Sequence, residues 1–244
     1  EFVYRQILKS NPFNVYVTKY FLQKKYPTSG SYIACSNVTL NEVNEKSLSE
    51  RLNKIALFDK TKRIIIGTTS TLSVDFKGQQ YVIQALPILI NAGFDIEYQL
   101  VGDGDGIWLM EYAKKYQVQD HVKIVGRLNH DDVFVWLDSI DIYVHPSCQE
   151  GLSRAIIEAM SRACPIVACD TGGIHEQIEE DYIVAKKDVD GLGKTIMRVL
   201  ESDMSSMARY NFENSREYVT SVLSARREDY YNRFLMANGL CLRK

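Results

Sequence analysis

The sequence predicts an α/β protein built on a doubly wound parallel sheet of about six strands, with helical flanks. Three observations carry that expectation. Short apolar runs alternate with helical stretches across residues 63–200. The runs are almost continuously apolar rather than alternating, as strands buried on both faces require. Each run ends in a short loop of glycine and small polar residues before the next helical stretch begins.

The elements follow in order. "RIIIGTTS" is a β-rich run, and "GQQYVIQALPILINAG" has helical spacing with a glycine stop at Gly93. Pro87 lies inside that helix and is expected to kink it. "IEYQLVG" is a strand and "IWLMEYAKKY" a helix; "HVKIVG" is a strand and "DDVFVWLDSI" a helix. "DIYVHPS" and "PIVACD" are strands around the helical "GLSRAIIEAMSRA". "YIVAKK" is a candidate sixth strand, and "DVDGLGKTIMRVL" a closing helix.

The flanks read differently. Residues 2–26 look helical and aromatic, broken at Pro12. "SYIACSNVTL" is a candidate strand, and "NEVNEKSLSERLNKI" is charged and linker-like with room for a helix. The stretch from "ARYNFENSREY" to "YYNRFL" reads as one amphipathic helix or two. Its Tyr, Phe and Leu residues need cover, and the aromatic first segment is the expected partner.

Bulk properties exclude several function classes. The chain has 244 residues, 45% hydrophobic and 25% charged, with a net charge of −2. That balance argues against capture of nucleic acid or anionic lipid by charge. No apolar run approaches the length needed to span a bilayer. The five cysteines are odd in number and lack CxxC spacing, which suits reduced thiols and a cytoplasmic setting. The four histidines make no metal-ligand pattern, so no metal site is expected. The chain begins at Glu1 rather than Met, so a fragment of a longer protein is expected.

In an open parallel sheet, ligands bind beyond the carboxyl ends of the strands. That rule selects five loops: "TTSTLSVDFKG", "GDGDG", "GRLNH", "SCQEG" and "DTGG". Their glycines and hydroxyls suit close approach of backbone N–H groups to an anion. No loop carries a dinucleotide fingerprint or a P-loop. Lys77 ends the first loop, where its charge opposes the helix dipole unless a ligand uses it. In "HPSCQEGLSRAIIEAM", Leu152, Ala155, Ile156, Ala159 and Met160 form the apolar stripe. Glu158 sits four residues from Arg154, the spacing of an ordinary surface pair. Glu150, just ahead of the helix, either complements the dipole or is presented to a ligand.

At these residues the sequence resembles the nucleotide-sugar-binding half of retaining glycosyltransferases of family 4, which have two Rossmann-like domains facing a cleft. The resemblance rests on Glu150 and Glu158 with seven residues between them. It also rests on "KGQ" at 77–79, "VGDGD" at 101–105, "VGRL" at 125–128, "HPSCQEG" at 145–151 and "TGG" at 171–173. It looks closest to bacterial enzymes of capsule, exopolysaccharide or O-antigen assembly.

The resemblance implies roles. Glu150 would hydrogen-bond the donor sugar beside the reacting carbon, and Glu158 would hold the ribose hydroxyls. Backbone N–H groups of Gly151, Leu152 and Ser153 would meet the sugar or diphosphate, with Ser147 close by. Lys77 would neutralise the departing diphosphate, so that no metal or other cofactor is needed. Arg127 and Leu128 would line the base pocket beside Gly102 and Asp103. The substrate would be a UDP-, GDP- or ADP-sugar, and the acceptor a glycan or lipid-linked carrier. Peripheral association of the full-length protein with a membrane is a further expectation.

Departures from the family pattern also matter. The arginine that usually accompanies the lysine is absent from "TTSTLSVDF", where residues 68–73 would offer hydroxyls to phosphate instead. The implied layout is a remnant of an acceptor-side domain at 1–38, a linker at 39–62 and the donor domain at 63–203. A carboxy-terminal helix at 204–244 would cross back toward the first segment. Two other functions remain open: a nucleotide-sugar 2-epimerase, or a non-catalytic partner of an active subunit. Transfer by this chain alone is expected to be weak or absent.

Overall fold

The computed structural model describes residues 2–240, so Cys241 and the last residues of the expected 204–244 segment lie outside the described part. The chain opens with α1 (Phe2–Ser10), β1 (Phe13–Tyr16), α2 (Phe21–Lys25), β2 (Ser31–Ala34) and α3 (Glu45–Ala56). Then come β3 (Ile64–Thr69), α4 (Gln79–Asn91), β4 (Ile96–Val101), α5 (Ile107–Lys115), β5 (Val122–Gly126) and α6 (His130–Ser139). β6 (Ile142–His145), α7 (Arg154–Ser161), β7 (Ile166–Cys169), β8 (Ile183–Val184) and α8 (Val189–Leu200) complete the sheet domain, and α9 (Ser205–Ser215) and α10 (Thr220–Ala237) close the chain.

The main sheet has six parallel strands in the order β5-β4-β3-β6-β7-β8. The order reverses between β3 and β6. That reversal opens a crevice at the carboxyl ends, where a doubly wound sheet binds its ligand. Successive residues along a strand face opposite sides. Ile64 and Ile66 therefore join one buried layer with Leu86, Leu89 and Ile196, while Tyr143 and Ile166 join the other with Trp136, Ile156 and Met160. The helix α4 runs through Pro87 as one element.

The flanks depart from the sequence expectation at β1 and are made more definite in two other places. "FNVY" at residues 13–16 is a strand, not a continuation of the helical segment, and pairs in parallel with β2. The segment 39–62 holds the helix for which the sequence left room, α3, and its Arg51 is buried. The Arg51 guanidinium donates to the carbonyls of Leu137 and Ile140, each at 2.7 Å, and of Arg162 at 3.3 Å, so one cation satisfies carbonyls at the carboxyl ends of α6 and α7. The end of the chain forms two helices with separate partners. α9 packs on α7 and α3. On α10, buried Tyr230 donates its hydroxyl to Ser31 O at 2.6 Å and accepts from the Asn14 N–H at 2.9 Å. Phe13 also meets Tyr230 and Phe234 edge-on, so α10 packs against the small β1–β2 sheet.

Candidate functional site

The loops leaving β3, β4, β5 and β6 enclose a cleft of about 470 Å³ at the sheet's reversal point. Its wall gathers Lys77, Gly102, Asp103, Arg127, Leu128, Glu150, Leu152, Ser153 and Glu158 from five separate stretches of sequence. Of the residues singled out from the sequence, Ser147 and Gly151 are not on that wall. Ser147 is buried and its hydroxyl donates to Gln149 O, while the Gly151 carbonyl accepts from the Gly173 N–H.

The local backbone explains how Lys77 arrives there. Residues Asp75–Lys77 form a single 3₁₀ turn that ends at Gly78, whose φ is 78°. A Cβ at Gly78 would stand 2.0 Å from the Pro146 carbonyl oxygen, so only glycine allows this turn to lie against the loop leaving β6. The Cys148 N–H donates to Phe76 O at 2.8 Å and fastens the two segments. This brings Lys77 Nζ within 2.7 Å of Glu150 Oε1, with both side chains mostly buried.

The long first loop is ordered as well. Gly102 approaches it so closely that a Cβ would be 1.8 Å from Ser70 O. The Gln79 amide donates to Ser70 Oγ and Thr71 O, and the Trp108 indole N–H donates to Leu72 O. Ser70 and Thr71 reach the cleft. Thr68 does not, contrary to the expected phosphate contact: its hydroxyl turns into the core and donates to Val144 O. Leu72 is likewise buried in the apolar core.

The second carboxylate sits where the helix geometry puts it. α7 begins at Arg154, later than the apolar pattern suggested, because Ser153 is its N-cap and accepts from the Ile156 N–H. The Ser153 N–H is committed to Gln177 Oε1, so it is not a free donor at the helix start. Glu158 therefore lies one turn inside the helix and faces the cleft. Among the described residues its ion-pair contact is His130 at 3.9 Å, not Arg154. Burial pushes its carboxyl above the ordinary range, against the opposing pull of His130 and Arg154. Glu150 goes the other way. Burial would raise its carboxyl, but His145 and Lys77 together hold it down to about 2. Two neighbouring carboxylates are thus set apart by their surroundings.

The fold and the cleft now stand beside known proteins. The family model for "Glycosyl transferases group 1" matches residues 63–202. This chain belongs to that family. Protein CapJ of Staphylococcus aureus is 32% identical over 254 aligned residues, covering 98% of this chain and 62% of CapJ. The chain therefore spans less than two thirds of that relative. Among solved structures, sucrose-phosphate synthase from Thermosynechococcus elongatus superposes with a TM-score of 0.73 at 17% identity, over 97% of this chain and 61% of that one. Anabaena HepE, solved with UDP-glucose, superposes with a TM-score of 0.72 at 18% identity, over 95% of this chain and 66% of its own. At those identities the likeness is one of fold.

In this group 1 glycosyl transferase, two cleft residues, Arg154 and His145, and one neighbour of the cleft, His130, take parts that the sequence did not assign them. Arg154 lines the cleft, so Lys77, Arg127 and Arg154 are three cations on its wall. His130 approaches Glu158 from the start of α6. His145 closes the cleft floor, buried at 2% exposure, with Nε2 3.3 Å from Glu150 Oε1. The available signal was positional, since "IYVH" places a histidine at the carboxyl end of a central strand. Among the described residues, no group of three or more His, Cys, Asp or Glu is arranged to hold a metal ion. Nor is any described helix long and apolar enough to cross a membrane.

Proposed function

We propose that this chain is the donor-binding half of a retaining glycosyltransferase that moves a sugar from a nucleoside-diphosphate sugar to a glycan or lipid-linked acceptor. The observation that carries the reading is the Lys77–Glu150 ion pair sharing one cleft with Glu158 at the reversal point of the sheet. A diphosphate needs cations where its charge develops, and Lys77, Arg154 and Arg127 supply them. A ribose presents two adjacent hydroxyls, and a half-buried carboxylate such as Glu158 can accept from both. Binding those hydroxyls would return to Glu158 the hydrogen bonds that burial denies it. A sugar hydroxyl beside Glu150 would take a strongly ionised acceptor.

In the reaction, the bond from the sugar's anomeric carbon to the diphosphate breaks while the acceptor oxygen bonds on the same face. The acceptor proton leaves with the departing phosphate oxygen, and Lys77 offsets the charge that gathers there. The resemblance to capsule and exopolysaccharide enzymes supports a product in cell-surface polysaccharide. HepE's UDP-glucose makes uridine the first base to try. Because the chain spans 62% of CapJ, turnover by this chain alone is proposed to be weak.

Calorimetry with variants tests the division of labour. Glu158→Ala should weaken plain UDP at least tenfold, whereas Glu150→Ala should weaken UDP-glucose far more than UDP. Equal and negligible effects would return Glu158 to an ordinary helix face.

A further inference from the structure

Glu150 faces two partners through a single oxygen. Lys77 Nζ donates to Oε1 at 2.7 Å, and His145 Nε2 lies 3.3 Å from the same atom. Lys77 reaches Glu150 from the turn before α4, but His145 is fixed in the sheet as the last residue of β6. Its ring is stacked at 6.2 Å on Tyr143, whose hydroxyl is engaged with Thr69 Oγ1 at 2.9 Å, and β7 sets Ala168 opposite it. Glu150, with Lys77 behind it, is the one charged side chain at ion-pair distance from the imidazole among the described residues.

The imidazole is also short of partners. It is 2% exposed, and neither ring nitrogen makes a hydrogen bond of good geometry. A buried polar group left unpaired is costly, so His145 is poised to take Glu150 if the carboxylate turns toward it. The carboxylate has equal need of it. Any movement of the Lys77 ammonium toward a diphosphate weakens its hold on a mostly buried anion, and a buried anion without a partner is unfavourable.

We propose that His145 is a positioning residue that takes over the Glu150 carboxylate as Lys77 moves to a bound diphosphate, which makes the lysine transferable. This rests on the donor-site reading above. The consequence is specific: His145 would govern the affinity for a diphosphate that it does not touch, and only while Glu150 is charged.

The test is UDP affinity by calorimetry on the whole chain, with GDP or ADP substituted if the unaltered protein prefers them. His145→Leu should weaken binding at least tenfold. His145→Gln, whose amide nitrogen can stand where Nε2 stands, should stay within about threefold of the unaltered protein. His145→Asn places its amide near Nδ1, short of Glu150, and should behave like leucine; it carries the test if the leucine variant does not fold. In a Glu150→Gln background, which leaves no anion to hold, His145→Leu should change affinity less than twofold. Equal affinities for the Gln and Asn variants would overturn the proposal, as would an undiminished loss in the Glu150→Gln background. If the unaltered protein binds none of the three nucleotides, the donor-site reading itself fails, and this inference with it.

Discussion

Replacing Glu150 with glutamine should cost stability in a way that depends on pH. The Glu150 carboxyl is held at about 2, against an ordinary 4.5, because His145 and Lys77 outweigh the burial that would raise it. Each pKa unit corresponds to about 1.4 kcal/mol, so the ionised group contributes roughly 3 kcal/mol at neutral pH. The folded-state value lies below the unfolded one. The contribution is therefore complete above pH 4.5 and disappears as pH falls toward 2. At pH 3 it should already be under half its neutral value, about 1.4 kcal/mol. Removing one member of a buried ion pair has a cost of the same order, about 3–5 kcal/mol. For a chain of this size each kcal/mol moves the midpoint by roughly 2–4 °C, so Glu150→Gln should lower Tm by roughly 6–12 °C at pH 7. Differential scanning calorimetry of both proteins at pH 7 and pH 3 checks this. A glutamine variant that matches the unaltered protein at pH 7, or a deficit that grows on acidification, would refute the electrostatic account of the Lys77–Glu150–His145 cluster.

Glu158 should respond oppositely. Burial raises its carboxyl, so its ionisation above the ordinary range costs stability; Glu158→Gln should raise Tm at pH 7 while weakening nucleotide binding at least tenfold. Tyr230→Phe strips the hydroxyl that serves Asn14 and Ser31, and should cost about 1–3 kcal/mol in urea unfolding. An unchanged midpoint would show that α10 does not hold the β1–β2 sheet through that contact. Arg51→Leu takes the guanidinium donor from the buried Leu137 carbonyl, while the Ile140 carbonyl keeps Lys54 Nζ at 2.8 Å, and should cost about 1–3 kcal/mol in the same assay. Arg51→Lys should recover only part of this, since an ammonium lacks the guanidinium's fork.

The sheet was readable because strands buried on both faces are written as apolar runs, and each run from "RIIIG" to "PIVACD" became a strand. The short β1 was not, because "FNVY" carries a polar residue at its centre and its parallel partner lies across α2. Lys77 and Glu150 were legible as loop-end charges, but their contact depends on Gly78 lying against Pro146, a fact of tertiary approach. Helical spacing suggested a surface pair of Arg154 and Glu158. It describes one helix in water, not a helix facing a cleft, and both side chains line that cleft. Ser153 moved the helix start, because an N-cap serine ends the preceding loop regardless of the apolar pattern behind it. Arg51 stood among many charges in "NEKSLSERLNKI", with no local sign that it is the one buried.

The central claim is that the cleft between the β3 and β6 loops is a nucleotide-sugar site. A thermal-shift panel of UDP, GDP, ADP and their glucose conjugates tests it most directly. A ligand at 100 times its Kd adds about 2.7 kcal/mol of stability, which for a chain of this size is roughly 5–10 °C in Tm. At least one base should give such a rise, Glu158→Ala should abolish it, and attaching the sugar should add a further rise that requires Glu150. A flat panel across all six compounds at millimolar concentration would contradict it.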